Sequence, residues 1–242
     1  MPELNVHNSD FFFLPETNRD RLRQTIVDLC HTRLPRRYGY SPLTDIQVLC
    51  PSRKGELGVV ELNKQLQAAI NPAGPDKQEI TVMGNLLREG DKVMQMKNNY
   101  DIPWTKDDGS VGTGIFNGDV GILEYLNRAT DTAKIRFDDR VAVYSMEMME
   151  NLELAYAATV HKSQGNEFEA VIIPMFPGPP QLYYRNLLYT AVTRAKALLI
   201  LVGMSGVVRQ MVENDRKTRR YSGLKDFLVR SDSDFPEETE EE

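Results

Sequence analysis

The strongest constraint on this fold is a pair of apolar runs with a helical pattern between them. Residues 170–175 and 197–203 are apolar runs of strand length, and residues 182–194 have the spacing of a helix. Short apolar runs of this kind are typical of strands buried on both faces. A helix that connects two such strands allows them to run parallel in one sheet. The pattern therefore predicts an α/β domain with a mostly parallel sheet.

The N-terminal part of the chain extends this alternation of strands and helices. Leu22, Ile26 and Leu29 recur at the spacing of one helix face, which predicts that this face is buried. The other predicted elements are a strand over 10–14, a helix that begins at Thr17, where Thr17 and Asp20 resemble a weak capping box, and is closed by Pro35 and Gly39, a strand over 46–50, a helix over 57–70, and a helix over 205–213 capped by Ser205.

Residues 81–150 have a different pattern, which interrupts the α/β domain. Short runs with strand character alternate with turn sequences such as Asn117-Gly118. The predicted strands are Lys92–Met96, Val120–Leu126, Ala133–Phe137 and Val141–Ser145. This spacing predicts a small antiparallel barrel. We therefore divide the chain into the first part of an α/β domain (1–80), an inserted barrel (81–150), the rest of the α/β domain (151–230) and a tail (231–242).

The net charge of −6 does not decide whether the chain binds nucleic acid. The tail contains seven acidic residues and no basic ones, and removing seven acids from a net charge of −6 leaves +1 for residues 1–230. We expect this acidic tail to be disordered. A basic cluster near it is interpreted as a solvated face in preference to a nucleic-acid contact; its members are Arg216, Lys217, Arg219 and Arg220.

The composition disfavours several classes of protein. Two cysteines and three histidines without a cluster predict no metal site, and Cys30 and Cys50 are expected to be buried thiols. The longest apolar runs are too short to span a bilayer, and the first ten residues lack the apolar core of a signal peptide. We therefore expect a cytoplasmic protein with no membrane partner.

Two polar segments carry the candidate chemistry. Thr159–Phe168 reads T-V-H-K-S-Q-G-N-E-F and places hydroxyl, imidazole, ammonium and amide groups next to a glycine. Such groups are suited to contact phosphate oxygens, and a solvated loop is the alternative. Asn186–Lys196 contains Arg194, whose planar guanidinium is suited to stabilise a γ-phosphate. A favourable charge at a helix C-terminus is the alternative for Arg194.

These two segments, in this order and spacing, resemble motifs V and VI of superfamily 1 helicases. Two further stretches narrow the resemblance to the RecD/TraA type. D-I-Q-V-L-C-P-S-R-K-G-E-L-G-V at 45–59 resembles motif IV of that group, and G-D-K-V-M-Q at 90–95 with F-N-G-D-V-G at 116–121 resembles its SH3-like barrel. The resemblance implies the C-terminal half of such a DNA helicase, with a RecA-like second motor domain interrupted by an inserted SH3-like β-barrel.

The resemblance also implies a role for each matching residue. Arg194 is the implied catalytic residue, which stabilises charge on the γ-phosphate of ATP. The implied nucleotide-binding residues are Gln164, Gly165, Glu167 at the ribose, and one of Arg53 and Lys54, for which a solvated basic loop is the alternative. The implied DNA-binding residues are Thr159, His161 and Lys162, and Ser163 is grouped with them as a phosphate donor.

Two aromatic residues of the barrel are further DNA-binding candidates. Tyr100 and Trp104 lie in a polar stretch with Lys97 and Lys106, a combination that suits base stacking and phosphate contact. The alternative is that Trp104 fills the barrel or packs on the main domain.

The parts that grip ATP do not occur in this sequence. It contains no G-x-x-x-x-G-K-[ST] string and no apolar strand that ends in Asp-Glu. In this superfamily those parts belong to the first motor domain, so ATP and Mg²⁺ are expected to bind only when that domain of the same protein is present. We expect no cofactor on this chain alone and negligible ATP hydrolysis by it.

For the intact protein, the resemblance implies 5′→3′ movement on single-stranded DNA and unwinding of duplex DNA in recombination or repair. Other nuclease or helicase subunits are possible partners. Two rival functions stay open. A non-enzymatic module that binds single strands or docks proteins would have no use for Arg194 at a nucleotide, and an RNA motor would share motifs V and VI.

Overall fold

The computed structural model describes residues 10–215, so the basic cluster at 216–220 and the predicted tail lie outside the described residues. The strands are β1 (Phe11–Pro15), β2 (Ile46–Cys50), β3 (Glu79–Val82), β4 (Asn85–Arg88), β5 (Lys92–Gln95), β6 (Asn99–Lys106), β7 (Val111–Ile115), β8 (Val120–Asn127), β9 (Thr132–Phe137), β10 (Arg140–Ser145), β11 (Leu152–Leu154), β12 (Ala157–Thr159), β13 (Phe168–Met175) and β14 (Ala195–Gly203). The helices are α1 (Arg19–Asp28), α2 (Leu34–Tyr38), α3 (Val59–Ile70), α4 (Met146–Met149), α5 (Arg185–Val192) and α6 (Ser205–Glu213), and a π-helical segment at Leu29–Arg33 joins α1 to α2.

The α/β domain is built on a five-stranded sheet. Its strands lie in the order β1, β14, β13, β2, β12, and every neighbouring pair is parallel. Helices α1 and α3 cover one face with side chains such as Leu22, Ile26 and Leu62. Helices α5 and α6 cover the other face with side chains such as Leu187 and Val208. The predicted parallel sheet with helices on its faces is confirmed.

Two predicted helix caps are wrong. Helix α1 begins at Arg19, because Asn18 Oδ1 accepts a hydrogen bond from the Arg21 amide (3.0 Å) and thereby makes Asn18 the N-cap in place of Thr17. Helix α6 does begin at Ser205, but the N-cap position before it is occupied by Met204. None of the helices between residues 10 and 215 combines the length and the apolarity needed to cross a membrane.

Pro35 does not close the first helical region, although Gly39 does. Pro35 is the second residue of α2, and the backbone is already right-handed helical at Arg33 and Leu34, so the helical path from the π-helical segment continues through the proline. Gly39 has a φ of 73°, a left-handed conformation that favours glycine and ends the helix.

The two cysteines are buried and free, as predicted. Cys30 lies in the core between α1 and the sheet, and Cys50 ends β2. Burial raises the pKa of both thiols, that of Cys30 to about 12, so both stay protonated near neutral pH.

The inserted barrel is a seven-stranded antiparallel sheet around its own apolar core, with strand order β11, β5, β8, β9, β10, β6, β7. The four predicted strands are β5, β8, β9 and β10, and their ends differ from the prediction by at most one residue. Strands β3 and β4 form a separate hairpin. We use the name barrel for residues 79–154, because β11 pairs with β5 and extends the sheet past position 150.

Two strands of the barrel have no signal in the sequence. Strand β6 contains Pro103 among polar residues, and β7 reads V-G-T-G-I with two glycines. Proline and glycine are depleted in strands, so the pattern hides both elements. They form because β6 pairs with β10 as well as with β7.

A buried carboxylate fixes the point where the chain enters the barrel. Asp91 is fully buried and accepts hydrogen bonds from Gln67 Nε2 (2.6 Å), Asn71 Nδ2 (2.7 Å) and Tyr156 Oη (3.0 Å). Burial raises the pKa of this carboxyl, and the hydrogen bonds oppose that rise. Gln67 belongs to α3 and Asn71 caps its end, so the carboxylate ties the barrel entry to this helix.

A buried amide fixes the point where the chain leaves the barrel. Asn63, also in α3, accepts a hydrogen bond from the Ala157 amide (2.7 Å) and donates one to the Leu154 carbonyl (2.8 Å). Both crossings between barrel and α/β domain are therefore attached to the same helix.

Lys92 is a buried cation at the junction of the two parts. Its Nζ donates to the Ile46 carbonyl (3.0 Å) at the start of β2 and lies 5.4 Å from the centre of the Phe168 ring. Burial lowers its pKa from 10.5 to about 8. The folded chain therefore holds this proton less tightly than the unfolded chain does.

This lowered pKa predicts a specific dependence of stability on pH. The cost of the buried charge is fully present below about pH 8 and is relieved as the pH rises toward 10.5, because the unfolded chain then binds more protons than the folded one. Between these limits the free energy of unfolding should rise by up to about 3 kcal/mol relative to a Lys92→Met variant. Urea denaturation at a series of pH values measures this difference. The exposed Lys134→Met variant is the control, and a Lys92 difference that does not change with pH would contradict the assignment.

Candidate functional site

The first polar segment crosses the parallel sheet from one edge to the other. We name the edge where the parallel strands begin the amino edge and the edge where they end the carboxyl edge. Thr159 ends β12 level with Cys50, the last residue of β2, whereas Phe168 begins β13 beside Ala195 at the start of β14. The rise of a strand separates these two ends by roughly 20 Å. A 3₁₀ turn at Val160–Ser163 and the loop 164–167 cover that distance.

Arg194 lies at the amino edge, immediately before β14. Its guanidinium donates to the carbonyls of Thr190 (3.2 Å) and Asn166 (3.2 Å) and to Thr193 Oγ1 (3.3 Å). All three partners are neutral, and no carboxylate between residues 10 and 215 lies within 4.0 Å of it. Within the described part of the chain, the Arg194 guanidinium is therefore a partly buried positive charge that makes no ion pair.

The loop 164–167 lies against Arg194. The Phe168 amide donates to the Arg194 carbonyl (2.9 Å), which joins the two segments directly. Gln164, Gly165 and Glu167 are exposed, and Gly165 has a φ of 91°, a conformation that favours glycine. The structure thus brings Arg194 together with the loop that carries three of the predicted nucleotide-binding residues.

Arg53 and Lys54 lie at the opposite edge. They follow the end of β2, which places them at the carboxyl edge, whereas Arg194 precedes a strand. The Arg53 guanidinium pairs with the Glu153 carboxylate of the barrel (2.8 Å). Lys54 lines a groove of 180 Å³ together with Ser52 and Tyr183. The structure does not bring either basic residue to the loop 164–167.

The predicted DNA-binding residues of the 3₁₀ turn have different environments. His161 is exposed, and its Nε2 lies 3.3 Å from Tyr184 Oη. Lys162 Nζ donates to Asn117 Oδ1 of the barrel (2.6 Å). Ser163 is fully buried and its hydroxyl donates to the Val160 carbonyl (2.8 Å), so it faces the interior instead of a ligand surface. Thr159 is partly exposed at the carboxyl edge.

Tyr100 and Trp104 do not form one aromatic surface. Tyr100 is 65% exposed and its ring meets the 41% exposed Phe116 edge-to-face at 5.6 Å. Trp104 packs against the barrel core, and its indole ring lies over Gly112, where a Cβ would come within 2.3 Å of it. The structure therefore supports the alternative prediction for Trp104, that its side chain packs within the barrel. Sequence reasoning missed Phe116, whose signal is its place at the start of the F-N-G-D turn.

Two family models match this chain. Residues 62–137 match the SH3 domain of ATP-dependent RecD-like DNA helicases, and residues 154–202 match the UvrD-like helicase C-terminal domain. The first match ends with β9 in the barrel, and the second covers the 3₁₀ turn, the loop 164–167 and Arg194.

Curated proteins with related sequences include RecD2 and RecD proteins. The chain is 33% identical over 174 residues to the ATP-dependent RecD2 DNA helicase of Deinococcus radiodurans, and this alignment covers 72% of this chain and 22% of that protein. It is 28% identical over 192 residues to the RecBCD enzyme subunit RecD of Mycolicibacterium smegmatis, and that alignment covers 79% of this chain and 31% of that subunit. The chain thus spans less than a third of the length of these relatives. A solved structure of Pif1 helicase from Bacteroides in complex with ADP-AlF3 and ssDNA aligns over 90% of this chain and 51% of that one, at 18% identity and a TM-score of 0.46.

The different environments of the two barrel aromatics predict different stability losses. Trp104→Ala should lower the free energy of unfolding by about 2–4 kcal/mol, because it removes a large side chain packed on a core. Tyr100→Ala should lower it by less than about 1 kcal/mol, because most of that ring is exposed. Urea denaturation of both variants tests this. Equal losses, or a larger loss for Tyr100→Ala, would contradict the placement of Trp104.

Proposed function

We propose that this chain supplies one wall of an ATP cleft and part of a single-stranded DNA track, because it matches the models of a RecD-like helicase SH3 domain and a UvrD-like helicase C-terminal domain. The observation that supports this most strongly is the environment of Arg194. A guanidinium held by neutral acceptors keeps its charge available for an anion, which an ion-paired arginine does not. The adjacent loop 164–167 adds exposed polar groups at the same edge.

At the amino edge, the chemistry of the residues fits a nucleoside triphosphate. Arg194 would stabilise charge that develops on the γ-phosphate during phosphoryl transfer. The Glu167 carboxylate would accept hydrogen bonds from ribose hydroxyls, and Gly165 would let the backbone approach the nucleotide. We propose that the P-loop lysine and the ligands of Mg²⁺ come from another motor domain of the same protein. The bound Mg²⁺ would neutralise phosphate charge.

At the carboxyl edge, we propose the DNA track. Thr159 and His161 would contact the strand there, and the track would continue to the exposed Tyr100–Phe116 pair of the barrel, which would stack on a base. The place of Lys54 at this edge supports a phosphate contact in the track and disfavours the nucleotide contact that motif IV implied. Closure of two motor domains around ATP and their reopening after hydrolysis would step the protein along DNA.

For the whole protein, we propose ATP-dependent unwinding of duplex DNA with 5′→3′ movement, in recombination or repair. A nuclease complex with other subunits is compatible with this role. The name of the RecD2 relative supports the helicase activity, while the direction of movement rests on the resemblance of the motifs.

Arg194→Ala tests the proposed role directly in the full-length protein that contains this chain. Hydrolysis of ATP in the presence of single-stranded DNA should fall roughly a thousandfold or more, while the nucleotide still binds, because the guanidinium acts on the transition state. Phosphate release and binding of a fluorescent nucleotide measure the two quantities. Lys196→Ala is the matched control, because Lys196 is two residues away and exposed.

Two results would count against this function. If Arg194→Ala hydrolyses ATP at the same rate as Lys196→Ala, Arg194 has no catalytic role and is only a favourable charge at the end of a helix. A wild-type protein whose DNA binding is strong but whose hydrolysis does not respond to DNA would favour a non-enzymatic binding module.

A further inference from the structure

Asn166 contacts the barrel and Arg194 with different parts of the same residue. Its backbone carbonyl accepts a hydrogen bond from Arg194 Nη1 (3.2 Å). Its side-chain Nδ2 donates to the carbonyl of Gly118 in the barrel (3.0 Å). A shift of the barrel at Gly118 therefore acts through one residue on the position of the guanidinium.

The turn that receives Asn166 is held firmly from the barrel side. We name Phe116–Asp119 the barrel turn. Its Gly118 has a φ of 97° and donates its amide to the Gln95 carbonyl (2.9 Å), while the Asp119 carboxylate accepts from the Phe116 amide (3.0 Å). A turn with these internal bonds moves with the barrel as one unit.

A second contact attaches the 3₁₀ turn that precedes the loop 164–167 to the barrel turn. Lys162 Nζ donates to Asn117 Oδ1 of the barrel turn (2.6 Å) and to the Met96 carbonyl (3.4 Å). Lys162 and Asn166 thus attach the 3₁₀ turn and the loop 164–167 to neighbouring residues of one turn.

The barrel turn also adjoins the exposed aromatic pair. Phe116 belongs to both, and its ring is the partner of the Tyr100 ring. The Asn117 amide donates to Asn98 Oδ1 (2.9 Å), and Asn98 Nδ2 lies 3.4 Å from Tyr100 Oη. A base that stacks on Tyr100 and Phe116 would therefore touch the unit that holds Asn166.

We infer that Asn166 is a positioning residue, which couples DNA contact at the barrel turn to the placement of Arg194; this inference rests on the proposed function. DNA bound at the aromatic pair favours one position of the barrel turn. The Gly118 carbonyl then holds the Asn166 side chain, and the Asn166 carbonyl holds the guanidinium where it acts. The link predicts that part of the stimulation of hydrolysis by DNA passes through a single amide hydrogen bond.

The test compares Asn166→Ala with Asn127→Ala in the full-length protein. Asn127 is a matched control, because its side-chain Oδ1 accepts hydrogen bonds from the backbone amides of Ala129 (3.0 Å) and Thr130 (3.3 Å), at the β8–β9 turn of the barrel and away from Arg194. The probes are ATP with Mg²⁺ and an oligothymidylate. Asn166→Ala should lower the DNA-saturated kcat about two- to tenfold, the range for one lost hydrogen bond, with KM for ATP and half-saturating DNA concentration within about twofold of the control. Asn166→Gln, which keeps the amide donor, should recover part of the loss.

Three outcomes separate the possibilities. A kcat equal to that of Asn127→Ala overturns the inference and leaves the proposed function intact. A lower kcat together with a raised KM and weaker DNA binding, none of which Asn166→Gln relieves, also overturns it, because that result is a general loss of structure. If ATP hydrolysis by the wild-type protein is not stimulated by DNA, both the proposed function and the inference are contradicted.

Discussion

The buried carboxylate of Asp91 is the interaction on which the relative placement of the two parts depends. A charged or polar group in the interior is tolerated only when its hydrogen bonds are made, and here the donors come from α3, from its C-terminal end and from the chain that returns out of the barrel. A different orientation of the barrel would leave Asp91 and these donors buried and unpaired. The arrangement in turn sets the barrel turn beside the loop 164–167, where the candidate chemistry lies.

The direction of the parallel strands organises that chemistry into two edges. Residues that precede a strand, such as Glu167 and Arg194, gather at the amino edge, and residues that follow one, such as Lys54 and Thr159, gather at the carboxyl edge. These two groups cannot meet without a change of topology. The segment 159–168 is the connection between them, and its contacts with the barrel lie along the way. A motor that converts nucleotide chemistry into movement on a strand needs such a connection.

Much of this fold follows from the sequence, because its signals are local. Buried parallel strands require apolar runs, so β2, β13 and β14 are found directly, and turn residues mark β5, β8, β9 and β10. Strands β6 and β7 are not found, because their stability comes from pairing with neighbours and not from their own composition. Caps depend on single side-chain geometries, which explains the shift from Thr17 to Asn18.

The candidate site is less predictable than the fold for a related reason. Motif spacing identifies Arg194 and the loop 164–167 but carries no information on which residues face a ligand. Ser163 lies in the interior, and Trp104 packs on the barrel core. The structure places Arg53 and Lys54 at the opposite edge from Arg194, because these two residues follow a strand and Arg194 precedes one. Whether a residue precedes or follows its strand can be read from the sequence once the strands are known to be parallel.

Hydrogen exchange in the full-length protein tests most directly the proposed separation of nucleotide binding at the amino edge from DNA binding at the carboxyl edge. Amide exchange would be followed with a non-hydrolysable ATP analogue and Mg²⁺, and separately with an oligothymidylate. We predict that the nucleotide slows exchange at residues 164–167 and 193–196 but not at residues 52–58, and that DNA slows exchange at residues 52–58 and 159–161. Protection of residues 52–58 by the nucleotide to the same extent as residues 193–196 would contradict the proposed separation.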